Sequence, residues 1–252
     1  MPAPAVFEYA ALTDTGRVRD HNEDAIALVP ACGLVVLADG MGGYAAGEVA
    51  SDIAVSVIRD VVEQHFLRQT IVADELWQVL VDAVLEANTA VIAAASDEPS
   101  YRGMGATLVT GLFHDGLLVL AHVGDSRAYR LRDGLLTLMT RDHSVLQERI
   151  DAGLVTPEQA RLSNIRNLVT RALGAEPYLS VEVHEHAVER GDVYLFCSDG
   201  LNDMLPDEAL AGILLTGTGG LEQTCAELVG AANEAGGADN VSVVLVYADQ
   251  IG

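Results

Sequence analysis

The segment TLVTGLFHDGLLVLAHV, residues 107–123, is an apolar run interrupted by Asp115-Gly116. Short runs rich in Val, Leu and Thr are typical of buried strands, and Asp-Gly between two of them indicates a tight hairpin. The segment therefore predicts two adjacent antiparallel strands inside a core. Residues 127–131 and 135–139 flank Asp133-Gly134 and predict a second hairpin directly afterwards.

Further elements are predicted on both sides of these hairpins. Buried strands are expected at residues 25–29, 34–38, 193–197 and 241–247. Apolar residues recur at helical spacing in residues 47–67, 74–95, 164–173, 207–215 and 221–232. Because the strands are joined mostly by hairpins and the helices come in adjacent pairs, we expect antiparallel sheets covered by helices, an α+β fold.

The chain favours a single domain over residues 1–252. It has 252 residues, half of them hydrophobic, and no linker, low-complexity tract or repeat divides it. Residues 140–161 are polar and broken by Gly153 and Pro157. Two alternatives stay open for the region 140–171: a mobile flap, or an ordinary pair of surface helices.

Composition limits the classes of partner. The 37 acidic and 14 basic residues give a net charge of −23, and such a field repels nucleic acid and anionic membranes. The N-terminus lacks the features of a secretory signal, and runs such as 33–38 and 116–121 are far shorter than a membrane span. Three widely spaced cysteines favour a reducing compartment, and we therefore expect the protein in the cytoplasm. We also expect it to be a monomer.

Acidic residues stand at the ends of four predicted strands: Glu23 and Asp24, Asp39, Asp199, and Asp239. A carboxylate at the end of a buried strand loses hydration and must be paired, hydrogen-bonded or bound to a metal. With 14 basic residues in the chain, cationic partners are scarce, and one hard divalent cation would serve several carboxylates. An isolated Asp-Gly is more often a simple turn, but a glycine-rich loop and a long helix follow Asp39 instead of a second strand.

Six motifs follow one another between about residue 12 and residue 246. They are Arg19-x-x-x-Glu23-Asp24, Asp39-Gly40-Met41-Gly42-Gly43, Met104-Gly105-Ala106-Thr107, Val123-Gly124-Asp125-Ser126-Arg127, Ser198-Asp199-Gly200 and Asp239-Asn240. In this order they resemble the metal-dependent serine/threonine protein phosphatases of type 2C, in their bacterial form. The resemblance implies a four-layer α-β-β-α sandwich, in which two central, mainly antiparallel sheets are flanked by helix pairs. It also implies hydrolysis of phosphoserine and phosphothreonine in proteins.

The resemblance implies a ligand set for two Mn²⁺ or Mg²⁺ ions. Asp39 would bridge them, Asp199 and Asp239 would complete the first ion's ligands, and Glu23 with the backbone oxygen of Gly40 would complete the second. Two such ions acidify a shared water, which attacks phosphorus directly, so no covalent phosphoenzyme is required.

Three further residues receive roles from the same motifs. Asp24 would orient a metal-bound water, and Asp125 is the candidate ligand of a third, weaker ion beside Asp199. The guanidinium of Arg19 suits two phosphate oxygens, and the alternative is an ordinary ion pair with a neighbouring acid.

The general acid stays unassigned. Eukaryotic relatives have a histidine directly after the Asp-Gly, whereas this chain has Met41, which cannot donate a proton. Water on a third ion at Asp125, His21 and His143 are the alternatives, although a histidine in a polar loop is more often simply solvated.

Other interpretations are also open. His184 and His186 share a face of a predicted strand and could bind zinc, but a third ligand is not apparent in the sequence. The chain could be a metal-binding regulator without activity, or it could act on small phosphate esters. As a protein phosphatase, it would oppose a serine/threonine kinase on phosphorylated targets.

Overall fold

The structure is a computed structural model that describes residues 5–42, 46–68, 73–156, 159, 168–217 and 219–251. The strands in this part of the chain are β1 (Val6–Asp14), β2 (Asp24–Val29), β3 (Leu34–Met41), β4 (Gly105–Ala106), β5 (Leu108–His114), β6 (Leu117–Val123), β7 (Arg127–Arg132), β8 (Leu135–Leu138), β9 (Glu182–Ala187), β10 (Val193–Cys197) and β11 (Val241–Gln250). The helices are α1 (Ala46–Arg68), α2 (Ala73–Asp97), α3 (Val145–Asp151), α4 (Asp199–Asn202), α5 (Asp207–Thr216) and α6 (Leu221–Glu234).

The strands form two antiparallel sheets. Sheet I has the order β1-β11-β10-β7-β8, and sheet II has the order β2-β3-β5-β6-β9, with β4 paired to β3. Both predicted hairpins are present, since His114 pairs with Leu117 and Arg132 pairs with Leu135. Asp115 and Asp133 adopt positive φ at the turns, where each precedes a glycine that also has positive φ.

Side chains that alternate between the two faces of the strands pack into three apolar layers. In β3, Leu34 and Val36 pack in a cluster with α1 and α2, whereas Val35 and Leu37 pack between the sheets against residues such as Phe196. On the far side of sheet I, α5 and α6 cover the opposite faces of β10 and β11. Successive side chains of a strand point to opposite faces, so each central strand contributes to two layers. The predicted four-layer α-β-β-α sandwich is confirmed.

Helix α2 combines length with an apolar composition. Its window Glu75–Asp97 has a mean hydropathy of 1.5, long and apolar enough to cross a membrane by those two measures. The buried side chains of Leu76, Leu80, Val84 and Val91 pack in the cluster between the helices and sheet II. Core packing therefore accounts for this apolar stripe.

Two predictions of secondary structure need correction. The periodicity predicts a helix over residues 164–173, but residues 168–173 are not helical, and Val169 and Leu173 form bridges with Ser144 and Ala106. The rest of that predicted helix lies outside the described residues. The sequence also gives no signal for β1, an edge strand whose alternation is weak because most of its side chains are at least partly exposed.

The region 140–171 is described at both of its ends. It contains α3, and residues 143–145 pair with residues 168–170: Val145 donates to the carbonyl of Leu168 (2.9 Å), and Thr170 donates to the carbonyl of His143 (2.7 Å). Whether the region acts as a flap stays a prediction, because residues 157, 158 and 160–167 lie outside the description.

Candidate functional site

The six implied metal ligands lie in the wall of one cavity of about 210 Å³. These residues are Glu23, Asp39, Gly40, Asp125, Asp199 and Asp239, and Arg19 lines the same cavity. They reach it because the ends of strands from both sheets meet there. Asp39 lies near the end of β3 and Asp125 in the turn between β6 and β7. Asp199 begins α4, separated from the end of β10 by one residue, and Asp239 lies just before β11. The structure thus brings together residues that are up to 220 positions apart in the sequence.

Close backbone approach brings Glu23 to Gly40. The amide of Gly40 donates to the carbonyl of Glu23 at 3.0 Å. A Cβ on Gly40 would lie 2.1 Å from the carbonyl oxygen of Gly47, and a Cβ on Gly47 would lie 2.8 Å from the Glu23 carboxylate. A Cβ atom cannot approach other heavy atoms this closely, so any side chain at position 40 or 47 would clash. Glycine at both positions lets α1 begin beside the Glu23 side chain.

Two residues of the motifs hold the acids in place, although the sequence suggested no role for them. The side-chain oxygen of Asn240 accepts from the amide of Glu23 (2.8 Å), and its nitrogen donates to the carbonyls of Thr15 (2.9 Å) and His21 (2.8 Å). The hydroxyl of Ser198, which is fully buried, donates to Asp24 Oδ2 at 2.8 Å. Their adjacency to Asp239 and Asp199 is the only signal in the sequence that could have identified them.

Asp24 differs from the other predicted residues because it does not line the cavity. It pairs with Asp39 across β2 and β3, and burial raises its pKa to about 6. The Oδ1 atom of Asp24 is buried and has no hydrogen-bond partner among the described residues. A buried carboxylate oxygen left unpaired is costly, and a nearby cation or ordered water would satisfy it.

Most of the charged side chains that line the cavity are carboxylates, with Arg19 as the basic residue among them. Burial, followed by the charges of neighbouring aspartates, raises the pKa of Asp39 and of Asp199 well above the usual range. Burial together with Asp142 raises the pKa of Asp125 to about 7, and burial also raises the pKa of Glu23. These shifts show that the protein scaffold alone does not stabilise the ionised forms.

Arg19 is the cation within this group of acids. Its Nη2 atom lies 2.7 Å from Asp239 Oδ2, and this hydrogen bond is the main reason that the pKa of Arg19 is raised. The arrangement matches the alternative considered for Arg19, an ion pair with an acid, although the partner is itself an implied metal ligand. Half of the Arg19 side chain is exposed, so it can also reach a group that enters the cavity.

The donor set fits hard divalent cations. Five carboxylates line the cavity, and neither a cysteine nor a histidine is among its lining residues. Mg²⁺ and Mn²⁺ prefer oxygen ligands of this kind. A cation would also neutralise acids whose mutual repulsion and burial now disfavour their charged forms.

The candidates for general acid are placed differently. Met41 lines the cavity, as its position after Asp39-Gly40 suggests. Neither His21, which is exposed, nor His143, which is buried, is among the lining residues. Both ring nitrogens of His143 are engaged, one with Gly124 and the other with Glu182.

Comparison with known proteins gives a consistent result. The family model described as protein phosphatase 2C matches residues 16–242. The chain is 39% identical over 241 residues to the serine/threonine protein phosphatase PstP of Mycobacterium tuberculosis, covering 95% of this chain and 45% of that protein. It is 35% identical to the serine/threonine phosphatase stp of Listeria monocytogenes, covering 94% of both chains.

A solved structure extends the likeness to the fold. The catalytic domain of PstP, in complex with two manganese ions, superposes with a TM-score of 0.87 at 37% identity, covering 98% of this chain and all of that one. This chain spans slightly less than half of the full length of PstP, so the likeness to that protein concerns its catalytic domain. The matched model covers most of the chain and includes all six motifs, and the chain belongs to the protein phosphatase 2C family.

Proposed function

We propose that this chain removes phosphate from phosphoserine and phosphothreonine in proteins, in a reaction that depends on Mn²⁺ or Mg²⁺. The observation that carries the proposal is the convergence of the six implied ligand residues, from segments distant in the sequence, on one cavity. Relatives of matching length are named serine/threonine phosphatases, and the manganese-bound structure is of a protein with the same fold.

The proposed ligand arrangement follows the motifs. Asp39 would serve both ions, Asp199 and Asp239 would hold the first, and Glu23 and the carbonyl of Gly40 would hold the second. The metals supply an acidified water as nucleophile and positive charge that shields the phosphoryl oxygens. Asp125, beside Asp199, is the proposed ligand of a third, weaker ion.

The other residues orient the reactants. Asp24 lies outside the cavity lining, accepts a hydrogen bond from Ser198 and pairs with Asp39 across the two strands. With the ions bound, it would orient the metal-bound water. Arg19 leaves Asp239 and binds two oxygens of the phosphate with its guanidinium fork. Attack in line with the leaving oxygen then requires no covalent bond to the protein.

The size of the cavity suits a substrate that inserts only its phosphoryl group, as a phosphorylated protein side chain does. Pockets that enclose whole small molecules measure roughly 300–1,000 Å³. This cavity, at about 210 Å³, holds a phosphoryl group and leaves the rest of the substrate on the surface. Phosphorylated targets of a serine/threonine kinase fit this description, and the proposal includes action as a cytoplasmic monomer on such proteins.

The proposal is tested by hydrolysis of a phosphothreonine peptide with Mn²⁺, with and without EDTA. Wild-type protein should turn over the peptide only with metal, and Asp39→Asn and Asp239→Asn should each reduce kcat/KM by at least about 100-fold, roughly 2.7 kcal/mol. Asp133→Asn, in a hairpin turn far from the site, is the matched control and should retain full activity.

Three outcomes would contradict parts of the proposal. Metal binding without turnover of any phosphate ester would support an inactive regulator. Faster turnover of small metabolites than of phosphopeptides would support the small-ester hydrolase. Turnover that persists after removal of all divalent metal would contradict the mechanism itself.

The source of the leaving-group proton has its own test. If the acid depends on Asp125, then Asp125→Asn should slow a phosphothreonine peptide at least about tenfold more than p-nitrophenyl phosphate, because an aryl leaving group needs little protonation. The ratio of kcat values for the two substrates is the measurement. Equal losses on both substrates would remove the support for this assignment.

A further inference from the structure

A compact cluster of His122, His143 and Glu182 lies beside the turn that carries Asp125. One ring nitrogen from each histidine and one oxygen of Glu182 lie within 4.8 Å of one another. The two imidazoles are stacked, with centroids 4.7 Å apart and planes at 15°, and both are almost completely buried. Glu182 also bonds to the exposed His184 at 2.9 Å.

The hydrogen bonds define the tautomer of His143. The amide of Gly124 donates to Nδ1 at 3.2 Å, so Nδ1 carries a lone pair. Burial lowers the pKa of His143, which favours the neutral ring, and its proton must then lie on Nε2. That nitrogen faces Glu182 Oε2 at 3.1 Å, which gives the N–H an ionised acceptor. Partial burial opposes ionisation of Glu182, but bonds from His184 and His143 lower its pKa to about 2.

This tautomer does not suit a metal ion. A ligand nitrogen needs a free lone pair, whereas His143 Nε2 carries the proton. His122 Nε2 donates to the carbonyl oxygen of Arg141 at 2.9 Å, so the free lone pair of that ring is on Nδ1, which is buried without a hydrogen-bond partner among the described residues. With His143 in this tautomer, the cluster offers a metal ion one imidazole and one carboxylate. The guanidinium of Arg171 lies 3.4 Å from His143 Nε2, which places a fixed positive charge where a cation would bind. The contact to Arg171 is longer than the bond to Glu182, so the carboxylate determines the proton's position.

His143 also fixes the backbone on two sides. Its amide donates to the carbonyl of Gly124 at 2.8 Å, so Gly124 is held through both its N–H and its C=O. Gly124 has φ of +103°, and a Cβ there would lie 2.6 Å from Thr107. The carbonyl of His143 accepts from Thr170, the neighbour of the cavity residue Val169. A glycine in this conformation has wide freedom unless neighbouring groups restrain it.

We propose that His143 is a positioning residue: Glu182 fixes its Nε2–H tautomer, and the ring thereby holds Gly124 and directs Asp125 into the cavity. The inference rests on the proposed function for its catalytic consequence, although the hydrogen-bond arrangement can be measured independently of turnover. It gives a role to a histidine that the sequence offered only as a possible acid.

The tautomer is tested by ¹⁵N NMR of histidine-labelled protein without metal. The expected spectrum shows His143 protonated at Nε2 and unprotonated at Nδ1 at neutral pH, with the signal assigned by its loss in His143→Asn. A proton on Nδ1 would overturn the proposal. So would tight binding of Zn²⁺ to Asp39→Asn protein with loss of the Nε2 proton, because it would identify the cluster as a metal site.

Two substitutions separate the roles of the ring nitrogens. His143→Asn keeps an acceptor near the position of Nδ1, whereas His143→Gln keeps a donor near Nε2 and removes the acceptor for Gly124. Amide exchange at Gly124 should stay within about twofold of wild type in the first variant and become about tenfold faster in the second, the effect of one lost hydrogen bond. Equal Tm values for the two variants show that global stability is not the cause.

The catalytic consequence is measured on the same variants. His143→Gln should raise the Mn²⁺ concentration for half-maximal activity and lower kcat at least about fivefold, with KM for the phosphopeptide unchanged. His184→Gln is the matched control, since it also removes a bond to Glu182 but makes no contact with Gly124, and it should resemble wild type. Equal exchange and kinetics in His143→Gln and His143→Asn would overturn the proposal. A wild-type protein without turnover would contradict the proposed function alone, since the exchange and tautomer results would still decide the positioning role.

Discussion

The ion pair between Arg19 and Asp239 is the individual contact most closely connected to the proposed reaction. Both side chains are partly exposed, with 51% and 26% of their surfaces accessible. Exposed pairs of this kind contribute only about 0–1 kcal/mol to stability because solvent screens them. The pair is therefore easily exchanged, and a metal ion at Asp239 or a phosphate at Arg19 can replace it.

This exchange predicts the behaviour of Arg19→Ala. The substitution should lower kcat/KM for a phosphothreonine peptide about tenfold or more, since a charge-assisted bidentate contact to phosphate is lost. Affinity for Mn²⁺ should be equal or higher, because Asp239 loses a competing partner. Calorimetric titration with Mn²⁺ checks the second statement, and Arg17→Ala, whose side chain is exposed, is the control. Weaker Mn²⁺ binding in Arg19→Ala would contradict the exchange.

Asn240 gives a second prediction at the scale of single residues. Its three hydrogen bonds join the loop before β2 to the start of β11, and Asn240→Ala leaves their partners unsatisfied. We expect a loss of about 2–4 kcal/mol in the free energy of unfolding, measured by urea denaturation without metal. Gln78→Ala removes one exposed side-chain bond on α2 and should change the stability by less than about 0.5 kcal/mol. A similar loss in both variants would contradict this account of Asn240.

At the scale of elements, the approach of α1 to the end of β3 determines whether the site can form. Ala at position 40 would place its Cβ 2.1 Å from a backbone oxygen at the start of α1, and backbone atoms cannot move aside easily. Gly212 lies within α5 with nothing within 4 Å of the position of a Cβ. The two glycines therefore serve different purposes: Gly40, within β3, permits the close approach of α1, whereas Gly212 lies at an open position within a helix.

The contrast predicts opposite effects of the same chemical change. Gly40→Ala should destabilise the protein by at least about 2 kcal/mol and weaken Mn²⁺ binding, because the carbonyl of residue 40 is displaced. Gly212→Ala should stabilise it by about 0.5–1 kcal/mol, since alanine loses less conformational freedom in a helix. Thermal unfolding of the two variants is the measurement. Destabilisation by Gly212→Ala would indicate a contact that the structure does not contain.

The hairpins and the edge strand show why some elements are easier to predict than others. Asp115-Gly116 and Asp133-Gly134 specify their turns locally, because the required positive φ angles depend on the residues themselves. In contrast, β1 is a strand only because β11 provides its hydrogen bonds. Residues 168–173 have helical periodicity, but their backbone groups bond to residues 106 and 143–145 instead of forming a helix.

At the scale of the whole molecule, the excess of negative charge makes stability depend on pH and metal. Without metal, the folded protein binds protons at Asp24, with a pKa of about 6, and at Asp125, with a pKa of about 7, whereas the unfolded chain releases them near pH 4. Asp39 and Asp199, whose pKa values are also raised, add to this effect. Burial lowers the pKa of three histidines, His122, His143 and His186, which opposes the effect below about pH 6.5 but involves fewer groups than the four aspartates. The folded state therefore holds more protons between about pH 4 and pH 7. The stabilisation of the folded state by these groups is complete below this range and is lost as pH rises through it.

We expect urea midpoints of metal-free protein to fall from pH 5 to pH 7.5. Saturating Mn²⁺ should reverse the loss at pH 7.5, because ligand binding to the folded state adds about 2.7 kcal/mol at 100 times Kd. Asp39→Asn should show a smaller fall, and Asp133→Asn, exposed at a turn, should show the same fall as wild type. Stability that increases over this pH range without metal would contradict the electrostatic account.

The sequence by itself determined most of the strands, both hairpins, the helix pairs and the acids at the strand ends, because alternation, turn chemistry and strand ends are properties of neighbouring residues. It did not determine β1 or the conformation of residues 168–173, which depend on pairing with distant segments. Only the tertiary structure decided that Asn240 holds Glu23, that Arg19 pairs with Asp239 and that Glu182 controls the tautomer of His143. Those contacts join residues 39 to 220 positions apart. Their hydrogen bonds exist only because packing of two sheets brings distant loops within about 3 Å, a distance that local patterns do not encode.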